Sequence, residues 1–148
     1  MPYRIHPFSQ GEIYHVFNRS IGNIPIFLNK RDYRRAIEVI NFYNYSNPPL
    51  RFSYFNRLTP GEKSKILTEL ETVHRKQIDL LSFCLMPNHL HFLIKEVEKN
   101  GISTFMSNFQ DSYAKYFNLR TERHGSLFQS MFKAVRIETE EQLLHVCR

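Results

Sequence analysis

"CLMPNHLHFLIK", residues 84–95, decides how the rest of the chain is read. Pro87-Asn88 is a turn dipeptide set between two apolar runs, "QIDLLSFCLM" (77–86) and "HLHFLIK" (89–95). That pattern predicts two strands joined by a tight turn. Side chains of a strand alternate between its faces. Leu90, Phe92 and Ile94 then form one wholly apolar face, which belongs to the core. His89, His91, Leu93 and Lys95 point the other way. The two imidazoles therefore share the opposite face, with Cβ atoms about 7 Å apart by strand rise. Two imidazoles so placed can converge on one divalent metal. Two histidines that merely face solvent would leave the same pattern, so spacing alone keeps both readings open. Cys84 and Cys147 stand in no ligand spacing, which makes zinc the poorer fit.

Upstream, "EIYHVFNRS" (12–20) predicts a strand between Gly11 and Gly22-Asn23, and "IPIFL" (24–28) a short second one. "KRDYRRAIEVINFYNY" (30–45) predicts a helix with Asp32 as its N-cap and Ala36, Ile37, Ile40 and Phe42 toward the core. "SNPPL" (46–50) ends it. The polar stretch 47–76 reads as a peripheral helical insertion. Within it Thr59, Pro60 and Glu62 stand at capping-box spacing.

Downstream, Ile102, Phe105, Met106, Phe109, Tyr113, Tyr116 and Phe117 recur at helical spacing and predict a long helix over 101–123, closed by Gly125. "SLFQSMFKAVRI" (126–137) alternates as a strand or hairpin arm, and "TEEQLLHVCR" (139–148) begins a helix capped by Thr139. The order predicts one α+β domain over 1–148: a ferredoxin-like antiparallel sheet with helices packed mainly on one face.

The chain has 148 residues and a net charge of +6. The excess lies at the front: residues 1–58 hold 8 Lys+Arg against 3 Asp+Glu, whereas 59–110 hold 6 and 6 and 111–148 hold 6 and 5. A basic balance of this kind points to a polyanionic partner. No apolar run approaches the ~20 residues of a membrane span, so no membrane partner is expected. The first residues carry no apolar leader core, and two unpaired cysteines suit a reducing compartment, so a cytoplasmic location is expected.

"CLMPNHLHFLIK" closely resembles the metal motif of the HUH single-tyrosine transposases, the insertion-sequence and REP-associated transposase family. "YHVFNRSIGNIPIF" with "DYRRAI", and "YAKYFNLRTERHGSLFQSMFKA", are similar to its first strand, first helix and Gly-x-Leu-Phe-Gln segment. The resemblance covers most of the chain and is weakest over 47–76. It implies a single-stranded DNA transposase that nicks and rejoins DNA beside a hairpin at transposon or REP ends. It also implies a tyrosine nucleophile and a divalent metal, Mg²⁺ or Mn²⁺, held by His89 and His91. It further implies DNA contacts at Arg19 and Asn18, with Arg123 and Lys133 flanking the Gly125 segment as phosphate contacts. Such transposases often act as homodimers, whereas REP-associated relatives can act as monomers, so the resemblance allows a homodimer or a monomer here.

The family's tyrosine sits in a late helix, in a "Tyr-Ile-His-x-Asn-Pro"-like stretch that also carries the third metal ligand. "EEQLLHVCR" matches the residues leading up to it. The expectation is therefore a chain with its C-terminal helix cut off and the nucleophile just after Arg148. Such a chain binds metal and DNA without forming the covalent intermediate. Tyr116 and Tyr113 are the fallback nucleophiles, although their place in the apolar stripe marks them as core residues. His15, His74, His124 and His145 read as structural or surface residues. Two rival functions stay open: a non-catalytic ferredoxin-like domain that grips single-stranded nucleic acid, and a relaxase or replication initiator with the same His-x-His site. Binding that needs neither metal nor histidines would mark the first, and an origin nick site as substrate the second.

Overall fold

The computed structural model describes residues 7–147. Three of the strands are β1 (Ile13–Arg19), β2 (Ile78–Met86) and β3 (His89–Glu96), with β1 and β3 at the centre. A fourth, β4 (Lys133–Ile137), completes an antiparallel sheet in the order β2-β3-β1-β4. That is the ferredoxin-like α+β arrangement expected from the sequence. The helices are α1 (Lys30–Tyr43), α2 (Phe52–Phe55), α3 (Pro60–Thr72), α4 (Gly101–Thr121) and α5 (Glu140–Cys147).

Helices α1 and α4 pack on one side of the sheet. That side of the sheet carries Tyr14, Val16, Leu90, Phe92 and Ile94, all buried. The stripe predicted on α4 supplies Ile102, Phe105, Met106, Phe109, Tyr113 and Phe117, and the Phe105 and Phe109 rings stand edge-on to Phe92 at 5.5 Å. Helix α4 starts against β3: Glu96 is buried and its carboxylate accepts from Ile102 N at 3.0 Å.

Several local expectations are corrected. Residues 24–28 form no strand. Ile26 and Phe27 instead hang from the β2–β3 turn by N–H bonds to Pro87 O at 2.7 and 3.3 Å. The α1 cap is Asn29, whose side chain accepts from Asp32 N at 3.1 Å. Asp32 is fully buried and faces α4. On α1 it is Val39, not Ile37, that joins the core, because Ile37 falls on the solvent side of the helix. The 47–76 insertion is only partly peripheral: its α3 has the expected Thr59–Glu62 capping box, but α2 inserts Phe52 and Phe55 against Phe42. In 126–137 only the last five residues form a strand, although Leu127 and Phe128 are buried. At α5, Gln142 N donates to Thr139 Oγ1 at 3.1 Å, the cap read from the sequence.

Candidate metal and nucleic-acid site

The other face of the sheet has no helix among those that build the core, and it carries the histidines. Register sets the neighbours. His89 stands between Arg19 of β1 and Met86 of β2, and His91 between Phe17 and Cys84. Lys133 of β4 flanks Phe17 on its other side. One face thus gathers two imidazoles, two exposed cations and the Phe17 ring, as the alternation of β1 and β3 requires.

The rings of His89 and His91 are 5.1 Å apart and nearly perpendicular. Both Nδ1 atoms are engaged. His89 Nδ1 lies 2.7 Å from Asn88 Oδ1, so that ring nitrogen donates and Nε2 keeps its lone pair. His91 Nδ1 lies 2.9 Å from His15 Nε2. With His91 as donor, its Nε2 is likewise a free base. A ligating imidazole ordinarily donates its other nitrogen to a neighbour in this way. Burial lowers the pKa of His15 and of His91; for His91, the charges of His15, His89 and Arg19 lower it further. His91 is thus held toward the neutral form that metal ligation requires.

His15 is the residue that sequence reasoning set aside as structural. The signal was available in part: His15, Phe17 and Arg19 share one strand parity. That this parity meets His91 depends on the β1–β3 register. Among the described residues no three His, Cys, Asp or Glu side chains gather as a metal-binding group. On this face His89 and His91 offer two imidazole nitrogens that could hold part of a divalent ion's shell.

The family model "Transposase IS200 like" matches residues 51–148, more than half of the chain. The chain belongs to this family. A REP-associated tyrosine transposase, solved bound to a REP hairpin, superposes over 99% of this chain and 67% of its own, with a TM-score of 0.58 and 12% identity. A Deinococcus radiodurans R1 protein assigned as a transposase superposes over 99% and 93%, with a TM-score of 0.53 and 8% identity. At such identities the likeness establishes the shared fold. No curated protein matches.

The remaining residues expected for an IS200-like transposase divide between the two sides of the sheet. Asn18 is buried on the helix side; its amide donates to Gln110 Oε1 at 2.6 Å and Gln129 O at 3.2 Å. It ties β1 to α4 and is not placed to meet DNA. Arg123 donates to Ser126 O at 2.9 Å and to Asn118 Oδ1 at 3.2 Å, so it closes the turn after α4. Arg19 and Lys133 alone of the four lie exposed on the histidine face.

Tyr113 and Tyr116 lie on the helix side, with the sheet between them and the histidines. Tyr113 is fully buried and donates to Ile26 O. Tyr116 donates to Asp32 Oδ1 at 2.8 Å. Burial raises both phenol pKa values, and the Asp32 carboxylate raises them further. Neither is an activated nucleophile facing His89 and His91. The position expected for the nucleophile, after Arg148, lies outside the described residues. Among the described residues no helix is long and apolar enough to cross a membrane.

Proposed function

We propose that the chain acts as a metal-dependent single-strand DNA transposase domain. Its histidine face receives the phosphate to be cut, beside a hairpin at a transposon or REP end. The observation that carries this is the pair His89 and His91 on one face, each with Nδ1 held by a neighbour. The placing of Arg19 and Lys133 around them supports it. A bound Mg²⁺ or Mn²⁺ would polarise the phosphate and steady the leaving oxygen. Arg19 and Lys133 attract and position the DNA backbone. Phe17, whose ring lies 4.9 Å from His15 and 5.8 Å from His91, offers a flat surface on which a base stacks.

The cut itself is a transesterification. A tyrosine oxygen bonds to phosphorus, the bond to the 3′ oxygen breaks, and that oxygen leaves as a 3′-hydroxyl while the 5′ side stays on the enzyme. Tyr113 and Tyr116 do not supply that oxygen. The family's late-helix tyrosine is the group this reading assigns to it. A homodimer would form by adding a second copy at strand β2, which stands at the sheet edge with Leu81, Phe83 and Met86 exposed.

The test pairs Mn²⁺ binding, followed by electron paramagnetic resonance, with anisotropy of hairpin-flanked single-stranded DNA. The parent should bind both, with DNA affinity enhanced by the ion. His89→Ala with His91→Ala should abolish ion binding and that enhancement. DNA binding indifferent to metal and to both substitutions would mark a non-catalytic binding domain instead.

A further inference from the structure

The helix side of the molecule carries a second concentration of charge that the histidine face does not use. A groove of about 680 Å³ opens between α1, α2 and α4. Six cations line it: Arg31 and Arg35 of α1, Arg51 and Arg57 flanking α2, and Lys115 and Arg120 of α4. Asp111 is the one carboxylate among the lining residues. The front-loaded charge of the sequence is resolved here, since four of its first eight cations converge on this groove.

The floor is aromatic and holds guanidinium planes in place. The Arg35 guanidinium lies 4.3 Å from the Tyr116 ring centre and 5.5 Å from that of Phe52. Arg120 is turned down onto buried Asp32 at 2.7 Å, and its Nε is buried with no hydrogen-bond partner. Among the described residues the other five cations form no ion pair with an acidic side chain. Arg31 and Arg35 are also like charges one helical turn apart, which weakens a helix on its own. Asp32 beneath Arg120 and Asp111 on the groove wall offset only part of this gathering, so the natural counterpart of the rest is an anion. The cations come from three separate elements, α1, the flanks of α2 and α4, rather than from one, and such a set suits a run of phosphates better than a single one.

We propose that this groove is a second nucleic-acid site. It takes the sugar-phosphate backbone of a DNA segment other than the strand presented to His89 and His91, and it rests on the reading of the chain as a DNA-acting protein. The sheet separates the two sites, so a bound DNA touches both only through segments that pass on either side of the protein. Arg31, Arg51, Arg57 and Lys115 are the phosphate contacts. Arg35 and Arg120, fixed by rings and by Asp32, set the base of the groove.

The test uses the 148-residue chain with three groove cations neutralised, Arg31→Gln, Arg57→Gln and Lys115→Gln. A control carries three exposed cations neutralised elsewhere, Lys65→Gln, Lys76→Gln and Lys99→Gln. All six side chains are exposed, so both variants should fold, as circular dichroism checks. Anisotropy with a hairpin carrying a single-stranded flank is measured over a salt series. Neutralising three phosphate contacts should lower the log–log salt slope by about 2 to 3 and weaken binding on the order of tenfold or more. The control should move it far less. Equal losses in the two variants, no loss in the groove variant, or no DNA binding by the parent overturns the groove. The histidine-face reading is judged separately, by whether His89→Ala with His91→Ala removes the metal-dependent part of binding. Each site can thus fail while the other stands.

Discussion

His15 Nε2 and His91 Nδ1 lie 2.9 Å apart across the β1–β3 pair. The contact is diagonal, since His15 is registered opposite Leu93 and His91 opposite Phe17. It engages Nδ1 of His91 and leaves Nε2 as the free ring nitrogen.

If that contact orients His91, losing it should weaken the metal without removing it. His15→Ala is expected to lower Mn²⁺ affinity about ten- to hundredfold, the usual cost of an outer-shell partner. His15→Gln, which can still accept a hydrogen bond, should restore part of it. Resonance titration of the two variants gives the answer. Unchanged affinity in His15→Ala would show that the ring contact does not govern His91.

The second prediction concerns Asp32, which receives Tyr116 Oη, Arg120 Nη2 and the Leu28 amide at 2.7 to 2.9 Å while itself fully buried. Arg120→Met leaves that carboxylate without its counter-charge and should cost about 3 to 5 kcal/mol. Tyr116→Phe removes one hydrogen bond to a charged group and should cost about 1.5 to 3 kcal/mol. Urea unfolding measures both. Any covalent DNA adduct formed by the protein should survive Tyr116→Phe and Tyr113→Phe; its loss in either variant would return the nucleophile to α4.

Glu96 predicts a pH dependence. Burial raises its pKa, and the Ile102 amide bond only partly opposes this. A raised carboxyl pKa means that the folded state holds the proton more tightly than the unfolded chain. The stabilisation from the protonated form is complete below the unfolded pKa and is lost as pH rises through the folded one. Glu96→Gln keeps an acceptor for Ile102 and removes the buried charge. It should therefore stabilise the fold at neutral pH and have little effect in acid. Paired urea curves at the two pH values check this, and destabilisation at neutral pH would contradict it.

Gly101 supplies the last prediction. It begins α4 where that helix meets the start of β2, and a Cβ there would overlap Gln77 O. Gly101→Ala must shift one backbone against the other and should cost about 1 to 3 kcal/mol. A thermal melt of the variant reads the cost directly, and an unchanged melting temperature would mean that the two segments are freer to part than their packing indicates.

Much of the histidine face was legible because it depends on parity alone. The alternation in 89–95 puts His89 and His91 opposite Leu90 and Phe92 whatever the rest of the chain does. The same holds for the α4 stripe, where helical spacing set Phe105, Phe109 and Tyr113 on the core side. Expectations failed where a residue's role depends on a partner distant in sequence. Asn18 and Arg19 are adjacent, yet one is bound to Gln110 inside and the other exposed on the opposite face. Asp32 resembles a cap locally but is recruited by Tyr116 and Arg120, 84 and 88 residues later. The segment 24–28 has strand composition, but Pro25 lacks an N–H, and the Ile26 and Phe27 amides donate to Pro87 O of the β2–β3 turn instead of joining the sheet.

The sequence by itself determined the α+β class, the core stripes, the capping boxes and the shared face of His89 and His91. Each follows from a local period or a short-range hydrogen bond. Only the tertiary structure decided that His15 meets His91, that Tyr113 and Tyr116 lie behind the sheet, and that scattered arginines line one groove. Those facts depend on strand register and helix packing, which are set by the burial of the whole core and are written in no single stretch of the chain.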